Sequence, residues 1–510
     1  MIVQSEKRSD RSIAQLLDGV VQVPERLDVE VSDLQFDSRD VRSGDVFFAR
    51  RGATIDAVKF ADDVVAQGAS AMVMEGQESV EIDRNGLLRI SVRDVTQAAG
   101  IAAHRFFGRP SHAIPVIAIT GTNGKTSVAD FVAQALRAHR GLPVGVLGTL
   151  GAHMGRQEDE ANVDFGLTTP DCITVHRTLS MFRTRSAAAA VMEASSHALD
   201  QRRLAEVRVD TAVFTNLSRD HLDYHGDMSR YANAKRELFC FDALRAAVIN
   251  AMDPIAGRLR SALTRETDVV DFSLDDEASS TNAIVRARTL RATLLGLEIE
   301  VCASDQRAVI RSEMIGRPSA WNLVTAFSVL LCHGIGVDKA VELLGDVVPV
   351  VGRMQAFGGG LLPMVVVDFA HTPGALMSAL QALRELCTGQ LWCVFGAGGE
   401  RDQGKRAMMG EISAHLADVV VITDDNPRSE DGDAIAAQIQ SGVGGSLIAR
   451  VRVQRDRASA ITDAISQAQP GDLVLVAGKG HEPYQDVGGR RIPFSDLAVA
   501  RAALSARRTT

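Results

Sequence analysis

The sequence predicts an α/β protein of three domains, and three observations support this prediction. At 510 residues, the chain is too long for one ordinary hydrophobic core. Short apolar runs alternate along it with helix-like stretches, as in parallel βαβ units with helices on both faces of a sheet. The composition, 46% hydrophobic and 23% charged, is typical of globular proteins. We place the domains at residues 1–105, 106–347 and 348–510.

The first domain contains three short apolar runs that favour extended structure, with a helix-like stretch between two of them. The strands are predicted at 46–50, 70–75 and 87–92, and the helix at 58–68.

The central domain begins with a buried-type strand at 114–120, a glycine-rich turn and a helix at 127–140. Apolar runs without alternation are typical of strands that are covered on both faces, so we expect a parallel sheet here. Its further strands are predicted at 144–150, 187–193, 211–217 and 246–250.

The third domain repeats this pattern of buried strands and amphipathic helices. Its strands are predicted at 364–370, 391–396, 419–423 and 473–478. An open α/β sheet of the Rossmann type binds ligands outside the carboxyl ends of its strands. The polar candidates of this domain follow strand ends, at His371, Arg401, 425–428 and Glu482.

Charge, cysteine spacing and the lack of long apolar runs limit the class of protein. The formal net charge of −9 argues against a general nucleic-acid binder, which normally carries a basic excess. The six cysteines lie far apart without CxxC or CxxH spacing, which favours reduced thiols over a zinc site or disulfides. The N-terminus shows no apolar signal segment, and no apolar run reaches membrane-spanning length. We therefore expect a cytoplasmic enzyme without a nucleic-acid partner or membrane insertion.

A glycine-rich loop between a buried strand and a helix is the clearest functional motif. Its glycines let backbone N–H groups converge on phosphate oxygens, and the helix N-terminus adds favourable partial charge. Lys125 can reach the β- and γ-phosphates of a nucleotide, and the Thr126 hydroxyl suits Mg²⁺. The match to GxxxxGK[ST] is incomplete because Ile119 replaces the first glycine, and a turn with an incidental Lys-Thr is the alternative. The predicted ATP-binding residues are Gly121, Thr122, Asn123, Gly124, Lys125, Thr126 and Ser127.

A carboxylate and an imidazole follow two central strands, where they can ligate a Mg²⁺ that bridges ATP and an acceptor. Glu193 ends one strand, and His221 follows the next strand along the chain. Taken singly, Glu193 also fits a surface ion pair, and His221 fits a helix cap or a core hydrogen bond. From the residues alone, Lys235 is interpreted as an ordinary solvated lysine.

Two segments give the chain a family resemblance. The loop TGTNGKT, and the segment NLSRDHLDYHGD followed by YANAK, resemble the Mur ligases and the related folylpolyglutamate synthases. The resemblance implies a three-domain Mur ligase architecture, with an N-terminal UDP-binding α/β domain, a central P-loop ATPase-like parallel sheet and a C-terminal Rossmann-like domain. It implies that ATP activates a carboxylate as an acyl phosphate, which an amine then attacks.

The resemblance also implies roles for single residues. Lys235 matches a family lysine that carries a carbamate, which turns a cation into an oxygen ligand suited to Mg²⁺. Arg353, between the central and C-terminal domains, is a candidate contact made on domain closure, and a boundary salt bridge is the alternative. The implied metal ligands are Thr126, Glu193, His221 and Lys235. The implied catalytic residues are Lys125, Glu193, His221, Lys235 and Arg353.

Nearly the whole chain shares the resemblance, which is most specific for family members that add diaminopimelate. The implied substrates are UDP-MurNAc-L-Ala-D-Glu and meso-diaminopimelate, and a monomer is expected. The implied UDP-sugar contacts are Phe36, Ser38, Ala53, Thr54 and Ile55. The implied contacts to the muramoyl dipeptide are Thr168, Thr169, Ser195, Gln201 and Arg203. The implied contacts to the amino acid are Arg401, Asp425, Asn426, Pro427, Arg428, Gly478 and Glu482.

The segment 425–428 decides between candidate amino acids. It looks like the DNPR signature of diaminopimelate-adding ligases, and lysine-adding relatives lack its arginine. Diaminopimelate differs from lysine by a second carboxylate, for which an arginine offers a planar, bidentate fork. Glu482 would suit the distal ammonium group. By itself, Asn-Pro is also a common turn before a helix.

Five positions depart from the family pattern, in segments that the family uses near the nucleotide and the catalytic groups. They are Leu167, Pro318, Ser319, Phe369 and Gly374. Three alternatives remain open: a lysine-adding ligase, a folylpolyglutamate synthase, and a non-catalytic nucleotide-binding paralogue. The N-terminal region and the DNPR segment argue against the synthase, while the altered GRPSAWN segment is the only support for the paralogue.

Overall fold

The computed structural model describes residues 12–51, 56–155, 163, 165–275, 283–444 and 449–508. Three of the expected UDP-sugar contacts, Ala53, Thr54 and Ile55, lie outside the described residues. The described strands form three sheets and a two-stranded ribbon. Apolar layers cover both faces of the two larger sheets, so the predicted α/β fold class is confirmed.

The N-terminal sheet consists of short strands around a parallel centre. Its strands are β1 (Leu34–Gln35), β2 (Val46–Ala49), β3 (Ala71–Glu75), β4 (Ser79–Ile82) and β5 (Leu88–Val92). The helices of this region are α1 (Ile13–Leu16), α2 (Ala61–Ala66), α3 (Val95–Phe106) and α4 (Pro110–Ala113). The strand order is β1-β2-β3-β5-β4, and only the edge strand β4 pairs antiparallel. The single helix predicted at 58–68 is wrong in part, because Ala57–Phe60 form a 3₁₀ turn before α2.

The central sheet carries the longest run of parallel strands. Its strands are β6 (Val116–Thr120), β7 (Val144–Gly148), β8 (Gly151–His153), β9 (Ala189–Glu193), β10 (Thr211–Phe214), β11 (Ala246–Asn250), β12 (Asp268–Leu274), β13 (Val285–Thr293), β14 (Gly296–Ala303) and β15 (Gln306–Ser312). Its helices are α5 (Lys125–Arg140), α6 (Cys172–Thr184), α7 (Ser196–Asp200), α8 (Leu222–His225), α9 (Met228–Arg236), α10 (Ala256–Arg260), α11 (Gly316–Cys332) and α12 (Val337–Gly345).

The order of the central sheet is β15-β14-β13-β12-β11-β10-β6-β9-β7-β8. Ile119 on β6 pairs with Glu193 on β9, and Thr120 on β6 pairs with Phe214 on β10, all in parallel register. The carboxyl ends of these three strands therefore meet at one edge. The phosphate loop and His221 follow two of these ends, and Glu193 is the last residue of β9.

The C-terminal sheet is parallel except for its first edge strand. Its strands are β16 (Gln355–Gly358), β17 (Met364–Asp368), β18 (Leu391–Phe395), β19 (Val419–Ile422), β20 (Arg450–Val453) and β21 (Leu473–Ala477), in the order β16-β17-β21-β18-β19-β20. The ribbon strands are β22 (Tyr484–Val487) and β23 (Arg490–Pro493). The helices are α13 (Pro373–Arg384), α14 (Gly404–Leu416), α15 (Gly432–Ser441), α16 (Arg457–Gln467) and α17 (Asp496–Arg508).

Burial of the strands matches the sequence pattern that predicted them. Every residue of β6, β9, β11, β18 and β21 is buried, as expected for strands with helices on both faces. Within the described ranges, no helix is both long and apolar enough to cross a membrane.

Candidate active site

A large cleft lies where the central and C-terminal domains face each other. It has a volume of about 1140 Å³, and both domains contribute to its walls. Lys125, Glu193 and His221 line it from the central domain, while Arg428 and Glu482 line it from the C-terminal domain. Because these groups follow strand ends, the cleft occupies the position where open α/β sheets bind ligands.

The phosphate loop (residues 121–127) is shaped by two glycines. Gly121 has φ +148° and Gly124 has φ +86°. A Cβ atom on Gly121 would lie 1.9 Å from Thr215 Oγ1, and one on Gly124 would lie 2.4 Å from Asn322 Oδ1. Only glycine fits at both positions, so the backbone forms a close-walled cradle at the N-terminus of α5.

Lys125 lies against this cradle. Its Nζ donates hydrogen bonds to the carbonyls of Gly121 and Thr122, both at 2.9 Å. Burial lowers the pKa of Lys125 below its ordinary value. The loop geometry, the helix N-terminus and the lysine together fit the phosphates of a nucleotide.

Glu193 is the buried carboxylate of the site, with 1% of its surface exposed. Its Oε2 accepts a hydrogen bond from Thr126 Oγ1 at 3.0 Å, and its Oε1 accepts one from the Thr149 N–H at 2.8 Å. Among the described residues it forms no ion pair, so the alternative of a surface salt bridge is wrong. A carboxylate beside a threonine hydroxyl is an oxygen pair that suits Mg²⁺.

Arg353 joins the two domains at this point. Its Nη2 donates to Thr126 Oγ1 at 3.2 Å, and its guanidinium lies over the Phe369 ring at 4.2 Å. No carboxylate of the described chain lies within ion-pair distance of it, which rules against the boundary salt bridge. The Nε of Arg353 is buried and has no hydrogen-bond partner in the structure.

His221 has a left-handed backbone, with φ 54°, at the start of α8. Its side chain does not cap this helix, and its Nε2 lies 3.3 Å from Asp220 Oδ2. Burial lowers the pKa of His221 to about 3. The described residues include no group of three or more His, Cys, Asp or Glu side chains placed to hold a metal ion.

Lys235 is buried beneath the phosphate loop, with 1% of its surface exposed. Its Nζ donates to the Gly121 carbonyl at 2.8 Å and lies 4.4 Å from the centre of the Tyr231 ring. Burial, and then the nearby Lys125, lower the pKa of Lys235 well below its usual value. The interpretation of Lys235 as a solvated lysine is therefore wrong.

Four of the five residues expected near the muramoyl dipeptide are joined by hydrogen bonds, and the fifth, Thr168, accepts one from Thr149 Oγ1 at 3.2 Å. Thr169 Oγ1 donates to the Glu193 carbonyl at 2.7 Å, and Arg203 Nη1 donates to the Thr169 carbonyl at 2.6 Å. Arg203 also donates to Gln201 Oε1, at 2.8 Å from Nη2. Thr168, Ser195 and Arg203 line the cleft directly. Thr169 and Gln201 form hydrogen bonds with two of these residues, Ser195 and Arg203.

The remaining N-terminal candidates lie outside the walls of this cleft. Ser38 lines a smaller pocket of about 300 Å³, together with Arg39, Phe60 and Gln67. Phe36 contacts the Phe48 ring, with centroids 6.0 Å apart. The structure thus separates these two residues from the groups around the phosphate loop.

The amino-acid loop (residues 425–428) is held by side chains. Asn426 Nδ2 donates to Glu482 Oε2 at 2.8 Å. Lys479 Nζ donates to both of these side chains, at 2.9 Å to Asn426 Oδ1 and 2.7 Å to Glu482 Oε2. The Arg428 N–H donates to the Asp486 carbonyl at 2.9 Å. The Glu430 N–H donates to the Pro427 carbonyl at 3.1 Å, and α15 begins at Gly432 with Asp431 as its cap, so the segment is also a turn that precedes a helix.

Close packing surrounds this loop. A Cβ atom on Gly478 would lie 2.3 Å from Asp425 Oδ2, so a larger residue there would displace that carboxylate. Pro427 is buried, whereas Arg401 is exposed at the rim and still lines the cleft. Arg428 Nη1 donates to the Gly399 carbonyl at 2.5 Å, and the residue lines the cleft.

The five departures from the family pattern also lie at the cleft, and two of them have clear contacts. Phe369 supplies the ring under Arg353. Gly374 leaves room beside Ser218, whose Oγ would lie 3.3 Å from an added Cβ. The cleft also contains side chains that were not predicted as site residues, among them Asp220, Lys405 and His481.

Comparison with known proteins gives matches along most of the chain. The models of three Mur ligase regions match it: the Mur ligase family catalytic domain at 30–107, the Mur ligase middle domain at 119–330, and the Mur ligase glutamate ligase domain at 352–480. A protein of Xanthomonas campestris pv. campestris, named UDP-N-acetylmuramoyl-L-alanyl-D-glutamate--2,6-diaminopimelate ligase, is 44% identical over 478 residues. These residues are 94% of each chain.

Solved structures agree with this result. The structure of a UDP-N-acetylmuramoyl-L-alanyl-D-glutamate--2,6-diaminopimelate ligase has a TM-score of 0.68 and 31% identity, and the match covers 98% of this chain and 99% of that one. The MurF ligase of Thermotoga maritima in complex with ADP has a TM-score of 0.62 at 19% identity, covering 95% of this chain and 100% of that one. The latter likeness concerns the fold alone.

Proposed function

Because this chain belongs to the Mur ligase family, we propose that it is an ATP-dependent ligase that joins meso-2,6-diaminopimelate to UDP-N-acetylmuramoyl-L-alanyl-D-glutamate. This reaction is a step in the synthesis of peptidoglycan precursors. The observation that carries the proposal is the shared cleft, because it brings a nucleotide-type loop and an arginine-bearing amino-acid loop to one space. A ligase that activates one substrate and then accepts another needs this arrangement.

In the first step, the side-chain carboxylate of the D-glutamate attacks the γ-phosphorus of ATP, and ADP leaves. The product is an acyl phosphate, which is needed because oxide is a very poor leaving group and phosphate is a good one. The cradle of residues 121–127 and Lys125 hold the phosphates in position. Bound Mg²⁺ would neutralise charge between carboxylate and triphosphate, with Thr126, Glu193 and His221 as its protein-side contacts.

In the second step, an amine of diaminopimelate attacks the acyl carbon, and phosphate leaves. Arg428, Asn426 and Glu482 would hold this amino acid. Arg428 offers a fork for a carboxylate, and Glu482 offers a negative charge for an ammonium group. Acyl phosphates hydrolyse readily, so the reaction needs a closed cleft, and the contact from Arg353 to Thr126 supports closure.

Lys235 is proposed to carry a carbamate in the active enzyme. Carbamate formation requires a neutral amine, and Lys235 has no carboxylate partner within the described chain to hold it charged. Its burial and its hydrogen bond to the Gly121 carbonyl support the proposal, because phosphates bound in the cradle would then lie close to it. A carbamate there would add oxygen ligands on the same side of the loop as Thr126.

We further propose that the enzyme acts in the cytoplasm as a monomer. Support for the monomer is that one chain supplies both walls of the cleft. Support for the cytoplasm is the use of ATP and the unpaired state of the described cysteines.

Phosphate release tests the proposal directly. The wild-type chain is incubated with ATP, Mg²⁺ and UDP-MurNAc-L-Ala-D-Glu, with either meso-diaminopimelate or L-lysine. We expect release only with diaminopimelate, and a loss of about 10²-fold in kcat/KM for this amino acid in Arg428→Ala. Arg311→Ala, at an exposed arginine on β15, serves as the control and should behave as wild type.

The outcomes separate the alternatives. Equal turnover with L-lysine would show a lysine-adding ligase and remove the role proposed for Arg428. ATP binding without amine-dependent phosphate release would favour the non-catalytic paralogue.

A further inference from the structure

Lysine is rare in this chain, and several of its few positions are buried instead of exposed on the surface. Of the 55 basic residues, only seven are lysines, and the other 48 are arginines. Of the six lysines within the described residues, three are buried, with exposed fractions of 1% for Lys235, 8% for Lys405 and 0% for Lys479. Lysine is among the residues least often buried. In a chain that otherwise uses arginine, lysine at these sites indicates that a compact ammonium is needed there. A guanidinium is not equivalent to it.

Lys405 differs from the other lysines around the cleft in having no protein partner. Lys125 and Lys235 donate to loop carbonyls, and Lys479 donates to Asn426 and Glu482. Within the described residues, Lys405 makes neither a hydrogen bond nor an ion pair, although its side chain lines the cleft. Burying a charged group without a partner destabilises a protein, so a ligand is the natural partner for this ammonium.

Position in the helix gives a second reason to assign Lys405 a role. It is the second residue of α14, where the helix dipole disfavours a cation. This helix follows directly on the segment that contains Arg401, an expected contact of the amino acid. Movement of the C-terminal domain therefore carries Lys405 and the amino-acid contacts together.

Lys405 lines the same cleft as the phosphate loop, and acidic residues of both domains lie near it. Burial lowers its pKa, and the largest opposing attraction comes from Asp220 of the central domain, ahead of Asp425 and Asp402. The negative charge of Asp220 also raises the pKa of Lys125 and of Lys235, against the larger lowering caused by burial. Lys405 also lines the same cleft as Lys125 and Asp425, so it borders the space between the nucleotide cradle and the amino-acid loop.

We propose that Lys405 is a further catalytic residue, whose ammonium contacts the phosphoryl oxygens of the acyl phosphate from the C-terminal side. The proposal rests on the proposed function and assigns one more contact within it. Lys125 would hold the phosphate from one side and Lys405 from the other. When the amine attacks and the acyl C–O bond breaks, charge accumulates on the departing phosphate, and a fixed cation stabilises it. Because α14 and the amino-acid loop belong to one domain, this cation arrives with the amine.

Two variants and one control test the role of Lys405. Lys405→Met removes the charge at similar size, Lys405→Arg keeps a charge of different shape, and Lys339→Met makes the same change on an exposed helix position. For Lys405→Met we expect kcat to fall about 10²-fold, with KM for diaminopimelate and for ATP within about 2-fold of wild type. Lys405→Arg should fall between Lys405→Met and wild type. Because an unpaired buried cation is removed, the Tm of Lys405→Met should equal or exceed that of wild type.

Other results would overturn the assignment. A raised KM for diaminopimelate with unchanged kcat would make Lys405 an amino-acid contact. A lower Tm in both Lys405 variants, together with lost activity, would make it a structural residue. Wild-type turnover in Lys405→Met would remove the role while leaving the proposed function intact. By contrast, a wild-type chain without amine-dependent phosphate release would disprove the proposed function itself.

Discussion

The phosphate loop and the amino-acid loop occupy equivalent places, each after a strand of a parallel sheet, but they are built differently. The phosphate loop is defined by its backbone, with glycines packed against Thr215 and Asn322. The amino-acid loop is defined by side chains, with Asn426, Lys479 and Glu482 bonded to one another. A backbone cradle suits a ligand that is the same in all relatives. A side-chain network can be altered residue by residue to accept another amino acid.

The most severe way to test this contrast is to place a side chain in the cradle. In Gly121→Ala, the added Cβ would lie 1.9 Å from Thr215 Oγ1, which itself donates to the Asn123 carbonyl at 2.6 Å. We expect turnover to fall about 10³-fold because the loop that positions the phosphates is displaced. The measurement is ATP-dependent phosphate release with both substrates present.

Gly257→Ala provides the matched control for this change. Gly257 lies in α10, and a Cβ there would meet no atom within 4 Å. This variant should retain wild-type turnover. Normal activity in Gly121→Ala would show that Thr215 can move aside and that the cradle is not fixed by its backbone.

A smaller effect is expected from the lysine beneath the cradle. Lys235→Arg keeps the positive charge but cannot form a carbamate, so we expect turnover to fall about 10²-fold. Burial lowers the pKa of Lys235 and so favours the neutral amine that carbamate formation requires; wild-type turnover should therefore also fall in CO₂-depleted buffer and recover when bicarbonate is added. Lys235→Arg should not respond to bicarbonate, and Lys339→Arg should respond as wild type does. Unchanged wild-type turnover without CO₂ would exclude the carbamate.

The smallest effect is expected in the amino-acid loop, where it tests whether the two loops act independently. Lys479→Met removes the hydrogen bonds to Asn426 Oδ1 and Glu482 Oε2. Because the two side chains then lose their fixed orientation, we expect KM for diaminopimelate to rise about 10-fold, with KM for ATP unchanged. Steady-state kinetics for both substrates give the answer. An equal rise in both KM values would show that the two loops are not independent.

The parallel strands were predictable because burial on both faces requires a continuous apolar run, as in β6, β9 and β21. The strands β12 to β15 were missed for the opposite reason. In β14, buried positions alternate with half-buried ones, and Glu298 and Glu300 on the open face pair with arginines of neighbouring strands. Such alternation with charged residues gives a weaker signal than a fully apolar run.

The positions of single site residues were predictable only where local sequence determines them. The turn of residues 121–127 follows from its glycines, and the structure places it as expected. The burial of Lys235 and the reach of Arg353 to Thr126 depend on how distant segments pack, which local patterns do not specify. The roles assigned to these residues remain predictions until the variants are measured.

The hydroxyl of Thr126 is shared between two parts of the molecule. It donates its single proton to Glu193 and accepts from Arg353, which leaves one lone pair of the oxygen for a ligand. By thermodynamic linkage, a ligand that binds more tightly with this contact in place strengthens the attachment of the C-terminal domain by the same factor by which that attachment strengthens its binding. Nucleotide binding and the motion of the C-terminal domain would then be coupled through one equilibrium.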